Sequence, residues 1–194
     1  KPIIVASTKK ELQDIIAEGK YDVEEPYVVQ LPESCTEVSA DAFWRDKTIG
    51  KVILPDSVTA IGDSAFWNCP NLTSVVLPRT LKRIGANAFT DAKLLTDIVL
   101  PDTICEIGEN AFERCSALKS ITIPKSLQVI ASGVFASCSS LKNVEIHDSV
   151  VEIGDRAFAC CNNLTEISIP DTVVRIGKYC FWACGSLQSL TISK

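Results

Sequence analysis

The chain has 194 residues and a formal net charge of −5; 46% of its residues are hydrophobic and 22% are charged. This composition is typical of a folded globular protein and excludes a disordered or collagen-like chain. Because there is no basic cluster and no run of about 18 apolar residues, the sequence predicts neither nucleic-acid binding nor a transmembrane helix. A single His excludes a site built from several histidines, and nine Cys, an odd number, cannot all pair within the chain.

Residues 1–31 are predicted to form an N-terminal cap. Thr8 followed by Glu11 matches a capping box at the start of a helix, which Gly19 would end. Three aliphatic residues share the buried face of this helix: Leu12, Ile15 and Ile16. Residues 27–31 then read as a first strand. The chain begins with Lys, and nothing in its first residues reads as a signal peptide.

From residue 32 the sequence repeats with a period of 23, and every Phe in the chain takes part. The Phe positions are 43, 66, 89, 112, 135, 158 and 181. In each copy an alternating, β-rich stretch such as 73–77 ends at Pro, or at His147 in one copy. A loop with Ser or Thr follows, and then a Gly leads into a short helical turn that buries the Phe. Because one copy cannot bury its apolar face alone, the pattern predicts a solenoid of seven repeats over residues 32–194.

The segment from Leu54 to Pro78, LPDSVTAIGDSAFWNCPNLTSVVLP, closely resembles the 23-residue BspA-like (treponemal-type) leucine-rich repeat. The resemblance extends over all seven copies. It implies an α/β repeat solenoid, a horseshoe with a concave parallel β-sheet, short helical or irregular convex segments and an N-terminal helical cap. It also implies a cell-surface or secreted location and a binding or adhesion role. The departures are at single positions, such as Ser39 and Ala131 in place of the turn Gly.

Candidate chemistry is sparse in this sequence. Five Cys share the column three residues after Phe: Cys69, Cys115, Cys138, Cys161 and Cys184. Ala92 stands in the same column, which favours small buried side chains over ligands. The functional alternative is a zinc site or a disulfide among Cys160, Cys161, Cys180 and Cys184, although the chain has no Cys-x-x-Cys pair. His147 shares its position with Pro and is expected to be an exposed turn residue. The sequence therefore predicts no catalytic residue, no cofactor and no metal, and not an enzyme.

Alternation along the strands predicts two outward-facing columns on the concave sheet. The candidate ligand-binding residues in these columns are Lys51, Ile53, Val76, Asp97, Val99, Thr122 and Glu145. Ile53, Val76 and Val99 form three adjacent apolar positions, which indicate either simple β-propensity or an apolar binding patch. Trp44 and Trp67, each one residue after a Phe, are expected to be neighbours on the outer side and to offer a second contact.

The leading prediction is a non-enzymatic protein-binding or adhesion module of a microbial cell-surface or secreted protein. Its partner, a host or cell-surface protein, would bind on the concave face. No cap follows the strand that ends at Ile192, so the C-terminal end of the array is expected to be open. Either the natural chain continues past Lys194, or this end serves a structural spacer or self-assembly element, which is the alternative function. That alternative predicts end-to-end self-association through the C-terminal repeat. A carbohydrate-binding module is a weaker alternative, since the concave columns carry no aromatic platform.

Overall fold

The structure, a computed structural model, describes residues 3–19 and 26–192, apart from the side chain of Asp97. The elements in chain order are β1 (Ile3–Val5), α1 (Lys9–Ala17), β2 (Tyr27–Gln30), β3 (Glu37–Val38), β4 (Ile49–Ile53), β5 (Ala60–Ile61), β6 (Ser74–Val76), β7 (Arg83–Ile84), β8 (Asp97–Ile98), β9 (Glu106–Ile107), β10 (Ser120–Thr122), β11 (Val129–Ile130), β12 (Asn143–Glu145), β13 (Glu152–Ile153), β14 (Glu166–Ile169), β15 (Arg175–Ile176) and β16 (Ser189–Ile192). We call each 23-residue turn a coil, from coil 1 (residues 32–54) to coil 7 (residues 170–192).

The coils stack as a leucine-rich-repeat solenoid, in agreement with the fold class predicted from the sequence. Successive strands pair in parallel with a register of one period, as where Lys51, Val52 and Ile53 face Ser74, Val75 and Val76. The concave sheet runs β1-β2-β4-β6-β8 and continues as the pairs β10-β12 and β14-β16. Because the register equals the sequence period, equivalent residues form continuous columns through the molecule.

A second ladder of two-residue strands was not predicted from the sequence. It runs β3-β5-β7-β9 and then β11-β13-β15, where the sequence suggested only a loop after the Pro. Its inward residues, such as Ile61 and Ile84, are fully buried. A strand of two residues is too short to show an alternating pattern in the sequence. These segments become strands only because they pair with the equivalent segments of neighbouring coils.

The Phe column forms the centre of the core. Its rings stack face to face from coil to coil, with centroids 5.2–5.8 Å apart at all six steps. The rings of coils 1–6 are fully buried, whereas Phe181 of coil 7 is only partly buried. The aliphatic residues that alternate with the two outward-facing columns are largely buried, whereas Leu190 and Ile192, in the last described coil, are 44% and 63% exposed.

The convex segments are turns and not the short helical turns expected from the sequence; they match the irregular alternative. Residues two before and two after each Phe have a positive φ, as at Ser64 (54°) and Asn68 (52°). Because of these positive φ angles, the N–H groups of alternate residues in the turn point along the solenoid axis. The N–H groups of Ser64, Phe66 and Asn68 donate to carbonyls of the next coil at 2.7–2.8 Å. Three such bonds, all in the same direction, form at each of the six junctions and make a convex ladder.

The N-terminal helix covers the carbonyl end of this convex ladder. The backbone N–H of Lys9 donates to the Ala42 carbonyl at 2.7 Å, and its ammonium donates to the carbonyls of Trp44 and Arg45 at 3.2 and 3.4 Å. Thr8 caps the helix by accepting from the Glu11 N–H at 3.2 Å, as predicted. The negative end of the aligned peptides is thereby matched with positive charge.

The buried face and the first strand complete the cap. Leu12 is fully buried against the first coil, and Ile15 and Ile16 pack on it half-buried, as predicted from their spacing. An unpredicted strand, β1, pairs in parallel with β2 and extends the concave sheet. The boundary of the cap at residue 31 stays a prediction.

Candidate functional site

The concave face carries a cleft of about 760 Å³ at the edge where the strands run into the proline loops. Its apolar lining includes Val76, Ile98 and Val99. The charged residues of the lining, Arg79 and Asp102, each follow the Pro that ends a strand. The cleft therefore combines apolar side chains on regular strands with one residue of each charge.

Two residues of the predicted apolar patch line this cleft and are open to solvent. Val99 is 82% exposed and Val76 is 43% exposed. Ile53 faces Val76 across the β4-β6 ladder and is half-buried, and it lies beside the cleft. A contiguous apolar surface in a concave setting is typical of an interaction site.

Three of the polar candidates from the sequence, Lys51, Thr122 and Glu145, are not part of the cleft lining. The Thr122 hydroxyl donates to Glu145 Oε2 at 3.3 Å, and both side chains are exposed. Lys51 is half-buried and faces Ser74, a residue of the cleft wall. The side chain of Asp97 lies outside the described residues.

Sequence reasoning missed the charged rim of the cleft. Asp102 Oδ1 accepts from the backbone N–H of Lys125 at 3.2 Å, and its Oδ2 lies 3.4 Å from the Lys125 ammonium. This backbone hydrogen bond lowers the pKa of Asp102 below its ordinary value, with smaller contributions from the Lys125 side chain. The signal was present in the column after Pro, which is acidic in five copies and basic only at Arg79 and Lys125.

The two Trp residues predicted as outer neighbours are in contact. Trp44 and Trp67 stack with centroids 5.6 Å apart, and the Arg45 guanidinium lies 5.1 Å from the centre of the Trp44 ring. Trp44 remains 41% exposed. Stacking on Trp67 and the nearby guanidinium occupy the ring of Trp44, so this pair presents ring edges more than an open aromatic platform.

The cysteine column has a structural role that the sequence did not reveal. The thiol of each column Cys donates to the carbonyl of a Phe 26 residues earlier, at 3.1–3.3 Å. Burial raises the pKa of Cys69 to about 12 and that of Cys115 and Cys138 well above the ordinary value of 9.0. All nine Cys are free, and the described residues include no group of three or more His, Cys, Asp or Glu arranged to hold a metal ion.

Comparison with known families agrees with this repeat architecture. A family model described as a BspA type leucine rich repeat region, in six copies, matches residues 21–127 and 106–194. The chain belongs to this family. Its repeats are therefore BspA-type leucine-rich repeats, as the sequence resemblance implied.

Three solved structures of bacterial leucine-rich repeat proteins resemble the chain. A leucine rich cell surface protein from Faecalibacterium prausnitzii is 35% identical, with a TM-score of 0.82, over 87% of this chain and 48% of that one. A leucine-rich repeat protein from Bacteroides ovatus is 27% identical, with a TM-score of 0.58, over 86% and 55% of the two chains. The T. pallidum leucine rich repeat protein is 25% identical, with a TM-score of 0.59, over 84% and 78%.

The chain thus spans about half the length of the Faecalibacterium protein. A search of curated proteins finds no match. Within the described residues, no helix has the length and apolar character needed to cross a membrane.

Proposed function

We propose that this chain is a non-enzymatic protein-binding module of a microbial cell-surface or secreted protein, and that its partner binds in the concave cleft. The observation that carries the proposal is the exposure of Val76, in β6, and of Val99, directly after β8, on adjacent coils. Burying these two side chains against a partner gives a favourable apolar contribution, while Arg79 and Asp102 at the rim select its orientation. The cell-surface description of the Faecalibacterium relative supports this location for the chain.

Two charge substitutions in the cleft test this proposal. The double variant Val76→Asp/Val99→Asp places carboxylates on the apolar surface without touching the core, so it folds and loses the partner. A matched control exists in Leu94→Asp/Val151→Asp, since these residues are 49% and 40% exposed and neither of them lines the cleft. Immobilised wild-type protein and both variants are incubated with cell-surface protein extracts, and the retained proteins are identified by mass spectrometry.

The cleft proposal predicts a defined set of proteins held by the wild type and the control pair but lost from the cleft pair. Circular dichroism of each variant verifies folding. Retention that is unchanged in the cleft pair, or lost equally from both pairs, contradicts binding at the cleft.

Self-assembly through the C-terminal end is the second candidate, and one observation favours it. Coil 7 exposes large apolar side chains: Val174 at 86%, Tyr179 at 63%, Trp182 at 61% and Ile192 at 63%. Large apolar side chains exposed together are typical of a protein–protein interaction site. Sedimentation equilibrium over a wide concentration range tests it: a rising mean mass that Trp182→Asp abolishes supports the candidate, and a constant monomer mass removes it.

A further inference from the structure

Within the described residues, both strand ladders are interrupted along one arc of the stack, which runs from the junction of coils 3 and 4 on the concave sheet to the junction of coils 4 and 5 on the second ladder. β8 does not pair with β10, and β9 does not pair with β11, so no ladder hydrogen bond joins the stretch 97–107 to the stretch 120–130. The contact from Asp102 to the backbone N–H and the ammonium of Lys125 still crosses this gap at 3.2 and 3.4 Å. We call this arc the seam. The concave sheet is also interrupted between β12 and β14, but there the second ladder continues through β11-β13-β15. A cleft of about 630 Å³ opens at the seam between β9 and β11.

The glycines that follow the two-residue strands explain how the intact junctions close. The N–H of Gly85 donates to the Ile61 carbonyl of the preceding coil at 2.8 Å, and four equivalent glycines do the same at 2.7–2.8 Å. A Cβ on Gly85 would lie 2.6 Å from the backbone nitrogen of Asp63. Side chains are not tolerated at such distances, so the glycine is needed for close stacking and not for a special backbone angle.

Two coils lack this glycine, and in only one of them does the second ladder have a preceding coil against which the residue could pack. Ser39 lies in the first coil of its ladder, next to β3, which has no preceding strand in that sheet. Ala131 lies directly after β11, on the seam. Unlike the five glycines, the Ala131 N–H makes no backbone bond to the preceding coil among the described residues. At the intact junction next to it, a Cβ on Gly108 would overlap the Ala86 nitrogen, so an alanine at this repeat position does not fit the close stacking that the glycines allow.

The opposite side of the seam remains closed. The convex ladder crosses it with three bonds of 2.8–3.0 Å, including Phe112 N–H to the Val134 carbonyl. Phe112 and Phe135 stack with centroids 5.6 Å apart. We propose that the seam is a hinge: the two arrays on either side bend about the convex ladder, and Ala131 is the residue that keeps the sheet side open.

The hinge also bears on the concave cleft, and this extension rests on the proposed function. The concave cleft is lined by Val76 and Val99 on one side of the seam and by Ser120 on the other. Bending at the seam changes the distance between these walls. A partner seated there would therefore favour one bend angle over the others.

Hydrogen exchange of the free protein tests the seam itself. At intact junctions the amides of Cys105 and Gly108 donate to the preceding coil, and Gln128 and Ala131 occupy the equivalent positions at the seam. We expect exchange at Gln128 and Ala131 to be at least roughly tenfold less protected than at Cys105 and Gly108. The substitution Ala131→Gly removes the methyl group, and protection at 128 and 131 should rise to the level of the intact junctions.

The control is Ser39→Gly, the same repeat position with no preceding strand. It leaves protection at residues 128 and 131 unchanged. If Gln128 and Ala131 are already protected in the wild type, or if Ala131→Gly gives no added protection, the role assigned to Ala131 is overturned. These measurements need no partner, so they fail or succeed independently of the proposed function.

Distance distributions separate a hinge from a fixed gap. Spin labels attached through a ketone-bearing residue at positions 106 and 129 span the seam, and labels at 129 and 152 span an intact junction where Val129 pairs with Glu152. The hinge predicts a broader distribution for the first pair, which narrows in Ala131→Gly. Equally narrow distributions for both pairs in the wild type overturn the hinge.

Discussion

At the residue scale, the molecule depends on side chains that repeat the same contact in every coil. Each Phe ring in coils 2–6 stacks between two others, and the buried rings have no solvent contact. Close-packed protein interiors relax only partly when a buried ring is removed, so a cavity remains. The stability of each coil is therefore tied to that of its neighbours through one column.

Removal of one ring tests this dependence. Phe112→Ala is expected to lower the free energy of unfolding by ~3–5 kcal/mol, because it leaves a cavity between two buried rings. Phe181→Ala should lower it much less, since Phe181 stacks on one side only and is partly exposed. Urea unfolding of both variants is the measurement, and equal losses would contradict the column as the centre of stability.

The buried thiols give the protein a chemical signature at alkaline pH. Burial raises the pKa of Cys69 to about 12, from an ordinary value of 9.0. A thiol whose pKa is higher in the folded state than in the unfolded state stabilises the fold fully below pH 9.0. This contribution is lost as the pH rises towards the pKa of the folded state. We expect urea stability to fall between these pH values, and less so in Cys69→Ala, which matches the natural Ala92. An equal fall in both proteins would contradict the prediction.

Alkylation at neutral pH should distinguish the buried thiols of the cysteine column from the exposed ones. Iodoacetamide added to the folded protein is expected to modify Cys105, which is exposed, and to leave Cys115 and Cys138 unmodified because they are fully buried thiols. Mass spectrometry of peptides reads out each site. Equal labelling of all three in the folded state would show that the column is open to solvent.

At the element scale, the sequence indicated the strands and the cap helix but not the turns between them. The alternation of Val75 and Leu77 and the spacing of Leu12, Ile15 and Ile16 are local patterns that translate directly into burial. The two-residue strands and the convex turns depend on hydrogen bonds between coils. Such bonds leave no periodic mark within one coil, so a helical turn was expected where Ser64 and Asn68 have positive φ.

The same limit applies to the candidate site. Val76 and Val99 were predicted because an apolar residue at an outward strand position departs from the pattern around it. Arg79 and Asp102 were missed because their place at the cleft follows from how successive proline loops stack. Ala131 was noted as a departure from the repeat, but its effect on stacking required the distances between coils.

The cap makes an element-scale prediction. Lys9→Met keeps the stem of the side chain and removes the ammonium that donates to the Trp44 and Arg45 carbonyls. We expect a loss of about 1 kcal/mol in the free energy of unfolding, since the Trp44 carbonyl is one of those that end the convex ladder. Lys10→Met, which removes only the exposed pair with Asp14, serves as the control. Equal effects of the two variants would mean that Lys9 does not cap the ladder.

At the scale of the whole molecule, the convex ladder gives the solenoid a direction. Every N–H in this ladder points towards coil 7, and there the N–H groups of Tyr179, Phe181 and Ala183 have no acceptor among the described residues. Two such ends placed face to face would oppose donors with donors. Association through coil 7 therefore favours a surface that presents carbonyls over a symmetric dimer.

The central claim is that the concave cleft is where a partner binds. Its most direct test places the photoreactive residue benzoylphenylalanine at position 99, in the cleft, or at position 151, which is exposed and does not line the cleft. Each protein is illuminated in cell-surface protein extracts, and the crosslinked peptides are sequenced. We predict a discrete crosslinked partner from position 99 and none from position 151. The absence of a crosslink from position 99, or the same crosslinked partner from both positions, would contradict the claim.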